Sequence, residues 1–410
     1  MPVAPPTVVP ESSPDWAGRL ARRTAGNDGA LTAILALANA RGVINFSGGF
    51  PAPELFPGQV IGQIVAGLLA TDAQVALQYS PSDGIASTRE AIAGFLLDVE
   101  GRRPGPGELM ITSGGIDAVT LIAKSMVDPG DVVVVEEPTY LGAVSGFTGF
   151  DAVLRAVPVD EHGLVTEELA ALIEAGSRPK LLYTIPEYQN PTGRTMSASR
   201  RRELIEICRS RQILIVEDVA YRELGFYDER QPSLWSLGPD VVMQIGTFSK
   251  TFAPGVRLGW AAGPAEVVAQ LTVAKQNSDQ CAGALGQRMV EEFLRGGHMP
   301  AQLVRERDFY RRRGEAMSGA MRRYLPADSA WTTPRGGFFS WLRVPGVDSA
   351  DLALAAREVN VAFVPGAPFF AERVEHDYLR LSFSRSDEAE IEAGIARLAG
   401  LIERVRSRQP

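Results

Sequence analysis

The stretch GTFSKTFAPGVRLGW, residues 246–260, places one lysine, Lys250, among hydroxyl residues and follows it with a glycine and an arginine. A lysine amine works as a nucleophile or base only where its position is fixed and its pKa is depressed. With Thr247 and Ser249 beside it and Arg257 downstream, the segment offers hydroxyl donors and a guanidinium fork to an anion such as a phosphate, and an amine to a carbonyl. Taken alone, a Ser-Lys pair reads as a solvated surface lysine.

Other residues gain meaning beside it. Asp218 closes ILIVED, where it is either the N-cap of the next helix or a counter-charge holding a proton on a ring nitrogen. Asn190 opens NPTG, an ordinary turn, yet its amide could donate to a phenolic oxygen, as could Tyr221 in EDVAY. Tyr140 in EEPTYLG is a turn aromatic capping the core or a ring that stacks on a flat ligand. In ITSGGIDAV, residues 111–119, a short strand runs through two glycines into a helix. That exposes the N–H groups of Gly114, Gly115 and Ile116 at a helix start, a natural seat for phosphate.

The elements that must position these groups alternate. DVVVVEEP (131–138), KLLYTIPEYQNP (180–191), QILIVEDVAY (212–221) and VVMQIGTFSK (241–250) are strand candidates, with EELAALIEAG and SASRRRELIEICRS as amphipathic helices among them. Apolar strands joined by helices predict an α/β fold with a mostly parallel sheet covered on both faces, and ligands then bind beyond the carboxyl ends of the strands. Tyr140, Asn190, Asp218, Ser249 and Lys250 all fall at those ends. After about residue 285 a long helical pattern leads into GGFFSWLRV (336–344), VAFVPG (361–366) and YLRLSFS (378–384), the strands of a smaller α+β domain. This divides the chain into an N-terminal arm and part of the small domain (1–60), a large domain (61–300) and a C-terminal small domain (301–410).

Composition narrows the function classes. The 410 residues are 45% hydrophobic with a formal net charge of −8, an ordinary globular balance with no nucleic-acid footprint. YRRRGE (310–315) is taken as a solvated helix face. Two cysteines, Cys208 and Cys281, suggest no disulfide framework and fit a reducing, cytoplasmic setting, with Cys208 a buried small residue. Three scattered histidines give no metal centre. The proline-rich start is expected to be a flexible arm without signal-peptide character, and GALTAILALANA (29–40) a packed helix too short to cross a bilayer.

In order, the chain presents a phosphate seat, a stacking aromatic, Asn-Pro-x-Gly, a strand-end Asp with Tyr, then Ser-Lys and Arg. With FSGGFPAPELFP, LQYSPSDG, EEPTY, YQNPTG, EDVAY, PRGGFFSW and LRLSFS, it resembles the fold-type I pyridoxal-phosphate (PLP) enzymes, specifically the class I/II aminotransferases of the 2-aminoadipate and kynurenine branch. The resemblance covers about residues 30–405. It implies an aspartate aminotransferase-like fold, PLP as cofactor, and ping-pong transfer of an amino group from an α-amino acid to a 2-oxo acid. Lys250 would form the cofactor aldimine and act as base, Asp218 would pair with the pyridinium, Asn190 and Tyr221 would bond its phenolate, and Tyr140 would stack on the ring. Gly114, Gly115, Ile116, Ser249 and Arg257, with Thr247, would hold the phosphate. Tyr79 resembles a tyrosine that reaches the phosphate from the partner of a homodimer, a core aromatic being the alternative. Arg380 would clamp the substrate α-carboxylate, where a structural salt bridge is the alternative, and Asn190 and Gly49 would line the substrate pocket. The same scaffold hosts oxidases, lyases and β- or γ-replacement enzymes, and an aminotransferase-like regulator, for which the N-terminal segment is too short and not basic.

Two departures stand out. Relatives usually carry glutamine near Ile116 and Asp117, and Asp117 would repel a phosphate unless its side chain turns away. The 29–40 segment contains no cation, which argues for an apolar or aromatic substrate, although Arg22 or Arg23 could stand in.

Overall fold

A computed structural model describes residues 16–21, 42–227 and 229–407. The N-terminal arm up to residue 15, the predicted 29–40 helix, and Arg22 and Arg23 lie outside the described residues.

The main sheet has eight strands: β2 (Leu109–Thr112), β3 (Val132–Glu137), β4 (Val153–Asp160), β5 (Gly163–Leu164), β6 (Pro179–Thr184), β7 (Leu214–Asp218), β8 (Val242–Thr247) and β9 (Gly259–Ala262). A short preceding strand, β1 (Ile44–Asn45), belongs elsewhere. The sheet order is β2-β9-β8-β7-β6-β3-β4-β5, with β8, β7, β6, β3 and β4 parallel and β9 antiparallel to both neighbours. The strands are apolar because both faces are covered. Val134, Leu182, Ile215 and Val242 pack on one side with Ile92 and Leu96, and Val133, Leu181, Val216 and Met243 pack on the other with Leu121 and Ile122.

A second sheet is antiparallel, in the order β10-β11-β14-β13: β10 (Ala330–Trp331), β11 (Phe339–Arg343), β13 (Val364–Pro365) and β14 (Tyr378–Ser382). Beside it β12 (Val361–Ala362) pairs in parallel with β1, so chain from before the main sheet joins strands that come after it. The helical pattern beyond residue 285 forms two helices, Ala284–Arg295 and His298–Tyr324, broken at Gly297, which adopts a left-handed φ of 68°. The longer helix passes from one core to the other, Met299 and Leu303 packing in the first and Tyr310, Met317 and Met321 in the second. The solvated face expected for 310–315 holds for Arg311, Arg312 and Glu315 but not for the other side of the helix. Tyr310 and Arg313 are buried, and Arg313 donates to the Ser384 carbonyl and to Glu54, because the helix is covered on that side by the 52–55 segment and the C-terminal chain. No described helix is long and apolar enough to cross a membrane.

Candidate active site

Strand β8 explains the peculiar composition around Lys250. Gly246 lies opposite Trp260 in the ladder, and a Cβ there would sit 2.0 Å from Trp260 Cζ2, so only glycine lets the indole cross the strand. Phe248 is buried beneath, its ring 5.1 Å from Trp260 and 6.0 Å from Phe95. Anchored this way, the turn leaves Thr247, Ser249 and Lys250 to face a cavity of about 260 Å³. The same cavity is lined by Gly49, Gly115, Ile116, Tyr140, Asn190, Asp218, Tyr221, Arg257 and Arg380. Residues from five strand ends thus meet, as the parallel sheet requires.

The Lys250 amine donates to the Gly49 carbonyl at 2.9 Å and lies 5.9 Å from the Tyr221 ring centroid. Burial lowers its pKa from 10.5 to about 8; the Asp218 charge opposes that fall, and Arg380 and Arg257 add to it. Asp218 is buried, and burial raises its pKa, which hydrogen bonds and the Lys250 charge counter. Its Oδ1 accepts from the Ala220 N–H at 3.1 Å, a local cap, while Oδ2 accepts from the Tyr183 hydroxyl at 2.7 Å. The carboxylate keeps lone pairs for a ligand, since each oxygen can accept twice.

Tyr140 precedes the helix Leu141–Thr148 and folds its ring against that helix's first turn; a Cβ on Gly142 would lie 2.5 Å from Tyr140 Cε1. Tyr221 meets Phe338 and Phe339 edge-on at 5.4 and 5.7 Å, and burial raises the pKa of its hydroxyl. Gly49 lines the cavity, and a Cβ there would approach Phe339 Cζ to 2.8 Å.

Arg380 is the most telling group. It is 5% exposed, yet among the described residues it has no carboxylate partner. Its Nη1 donates to Asn190 Oδ1 at 2.9 Å and its Nη2 to the Ser47 carbonyl at 2.6 Å, while Nε has no acceptor. The guanidinium lies 4.3 and 5.0 Å from the Phe339 and Phe369 centroids, and burial lowers its pKa to about 10. Among the described residues the salt-bridge alternative finds no carboxylate. A buried cation without a counter-ion is costly unless an anionic ligand supplies one.

Opposite lies an anion cradle. Arg257 Nη1 donates to Ser249 Oγ at 3.2 Å and Nη2 to the Ser113 carbonyl at 3.2 Å, and Thr247 donates to Ser249 Oγ at 2.9 Å. Gly114 must be glycine, with φ 107° and Arg257 Nη2 2.8 Å from where a Cβ would be. Behind it the N–H groups of Gly115 and Ile116, opening the helix Gly115–Met126, have no backbone acceptor among the described residues. Asp117 turns away as expected, accepting from the Ser113 N–H at 2.7 Å and from Lys275 at 2.8 Å. Amine, carboxylate, flat aromatic and anion cradle together fit a phosphorylated ring aldehyde.

Gly114 stands behind Arg257 rather than on the cavity wall. Tyr79 does not reach the cavity within one chain; it is 80% exposed, which overturns its reading as a core aromatic. Sequence reasoning missed Tyr183, hidden in an apolar strand, and the Phe339 and Phe369 rings that flank Arg380.

Solved structures share this architecture. Pyrococcus horikoshii kynurenine aminotransferase in complex with PMP matches with a TM-score of 0.92 at 33% identity, covering 97% of this chain and 99% of that one. The architecture is the fold-type I aminotransferase fold. The chain belongs to the aminotransferase class I and II family, whose model matches residues 41–398. Similar relatives include the 2-aminoadipate transaminase of Thermus thermophilus, 38% identical over 370 residues (89% of this chain, 91% of the relative). The aromatic-amino-acid aminotransferase 1 of Thermococcus litoralis is 36% identical over 376 residues, 90% of each chain. The protein is a PLP-dependent aminotransferase.

Proposed function

We propose that this chain moves the amino group of an α-amino acid with an apolar or aromatic side chain to a 2-oxo acid. The observation that carries the reading is Arg380, a buried guanidinium with no counter-ion among the described residues, on the wall of the cavity that holds Lys250. When bound, PLP supplies an aldehyde that exchanges between amines and a ring that takes up the electron pair left at Cα.

Ser249, Thr247, Arg257 and the N–H groups of Gly115 and Ile116 hold its phosphate, with Gly114 giving Arg257 room. Asp218, itself fixed by Tyr183 and Ala220, keeps a proton on the ring nitrogen. Tyr140 would stack on the ring, and Asn190 and Tyr221, on the same cavity wall, would donate to its phenolic oxygen. Arg380 takes the α-carboxylate in a fork that fixes Cα, with Gly49 and Asn190 beside it. Lys250 Nζ, easily deprotonated because it is buried, would remove the Cα proton and hand it to the carbon that bore the aldehyde, with the reverse transfer when a 2-oxo acid takes up the amino group. Donor and acceptor use one carboxylate fork in turn, which gives ping-pong kinetics.

The side-chain preference follows from charge. Among the described residues the cations lining the cavity are Lys250, Arg257 and Arg380, and all three have tasks, while Phe50, Leu141, Ile185 and Phe339 supply apolar walls. The 24–40 segment adds no lysine or arginine. We further place the chain in a cytoplasmic homodimer with the 1–60, 61–300 and 301–410 division, Tyr79 serving the partner's phosphate seat. Its exposure and the unpaired Cys208 and Cys281 support this. Adding amino acids singly and watching the cofactor spectrum tests the substrate class. Aromatic and large apolar amino acids convert it fastest, and a preference for acidic ones contradicts the proposal.

A further inference from the structure

Lys275, near the end of the helix Ala265–Gln276, is fully buried and lies outside the cavity. Its ammonium is 2.8 Å from Asp117 Oδ2, 2.8 Å from both oxygens of Asp279 and 3.2 Å from Ser113 Oγ. Ser113 is tied into this cluster twice more, its N–H donating to Asp117 at 2.7 Å and its hydroxyl to Asp279 at 2.6 Å. The Ser113 carbonyl then carries Arg257 Nη2. The helices are also stapled by Lys124, which donates to the Ala274 and Asn277 carbonyls at 3.1 and 2.9 Å.

The chemistry is that of a masked anion. Asp117 stands in the first turn of the helix whose N–H groups open on the cradle. A carboxylate there suits the helix dipole, yet it competes with and repels any phosphate seated at the same N-terminus. We propose that Lys275 is a positioning residue for the phosphate seat: it holds Asp117 back and offsets part of its charge, the ammonium being shared with Asp279, and through Ser113 it fixes Arg257 in the cradle. The proposal rests on the reading that this cradle holds the phosphate of PLP.

The test titrates apoprotein with PLP and with pyridoxal, which lacks the phosphate, following the absorbance of the bound aldehyde, with inorganic phosphate as competitor. Lys275→Met weakens PLP binding about tenfold or more and leaves pyridoxal unchanged, and adding Asp117→Asn restores PLP binding. Asp117→Asn alone, which keeps an acceptor for the Ser113 N–H, tightens binding of PLP and inorganic phosphate. Equal losses of PLP and pyridoxal in Lys275→Met, or no loss, overturn the proposal. Should Lys275→Met fail to fold, Asp117→Asn decides, and weaker or unchanged PLP binding overturns it. A native chain that takes up PLP no better than an unrelated protein overturns the cofactor reading and the proposal with it.

Discussion

Replacing Arg380 by methionine removes the buried guanidinium while keeping the packing between Phe339 and Phe369. Two of its five N–H donors are spent on Asn190 and Ser47, leaving Nε and one N–H on each Nη nitrogen. Two charge-assisted hydrogen bonds to a carboxylate contribute about 1.5–3 kcal/mol each. Their sum of ~3–6 kcal/mol corresponds to a loss of about 10²- to 10⁴-fold in kcat/KM. The assay compares the stopped-flow half-reaction of an aromatic amino acid with that of the corresponding amine lacking the carboxylate. Arg380→Met should collapse the difference between the two by slowing only the amino acid, with cofactor absorbance and circular dichroism unchanged. A loss under about tenfold, or an equal loss with the amine, would refute the assignment of Arg380 to the carboxylate.

Asp218→Asn, by breaking a buried charge pair with the ring nitrogen worth about 3–5 kcal/mol, should lower turnover ~10²- to 10⁴-fold while PLP absorbance persists; near-native turnover contradicts its role. Burial moves the Lys250 pKa down from 10.5 to about 8, so between those values the unfolded apoprotein holds the extra proton and this residue's contribution to stability rises with pH. Lys250→Met should therefore stabilise apoprotein at about pH 7, with the gain shrinking toward pH 10.5, in denaturant melts; a difference independent of pH counts against a buried amine. Tyr79→Ala should weaken PLP retention although the residue is 80% exposed in one chain, and sedimentation should give a dimer; a fully loaded monomer excludes a shared site.

Much of this was legible in the sequence, for identifiable reasons. The strands β3, β6, β7 and β8 are apolar on both faces and end in polar residues, so 131–138, 180–191, 212–221 and 241–250 marked them to within a few residues. Convergence of Asn190, Asp218 and Lys250 followed from strand parallelism alone. What could not be read depends on tertiary neighbours. Tyr183 looks like any core aromatic until its hydroxyl meets Asp218 across the sheet, and Phe369 comes to Arg380 only through a loop between short strands. Arg313 sits in a basic run whose pattern suggests solvent, but packing with the 52–55 segment turns it inward. For Asp117 the charge conflict was visible and its resolution was not, since Lys275 is far along the chain and carries no motif.

The most direct test is borohydride reduction of the purified, PLP-loaded chain followed by peptide mass spectrometry. One phosphopyridoxyl group is expected, on the peptide containing Lys250. A chain that reduces with no adduct, or carries it on another lysine such as Lys124 or Lys275, would mean that Lys250 is not the lysine bonded to the cofactor.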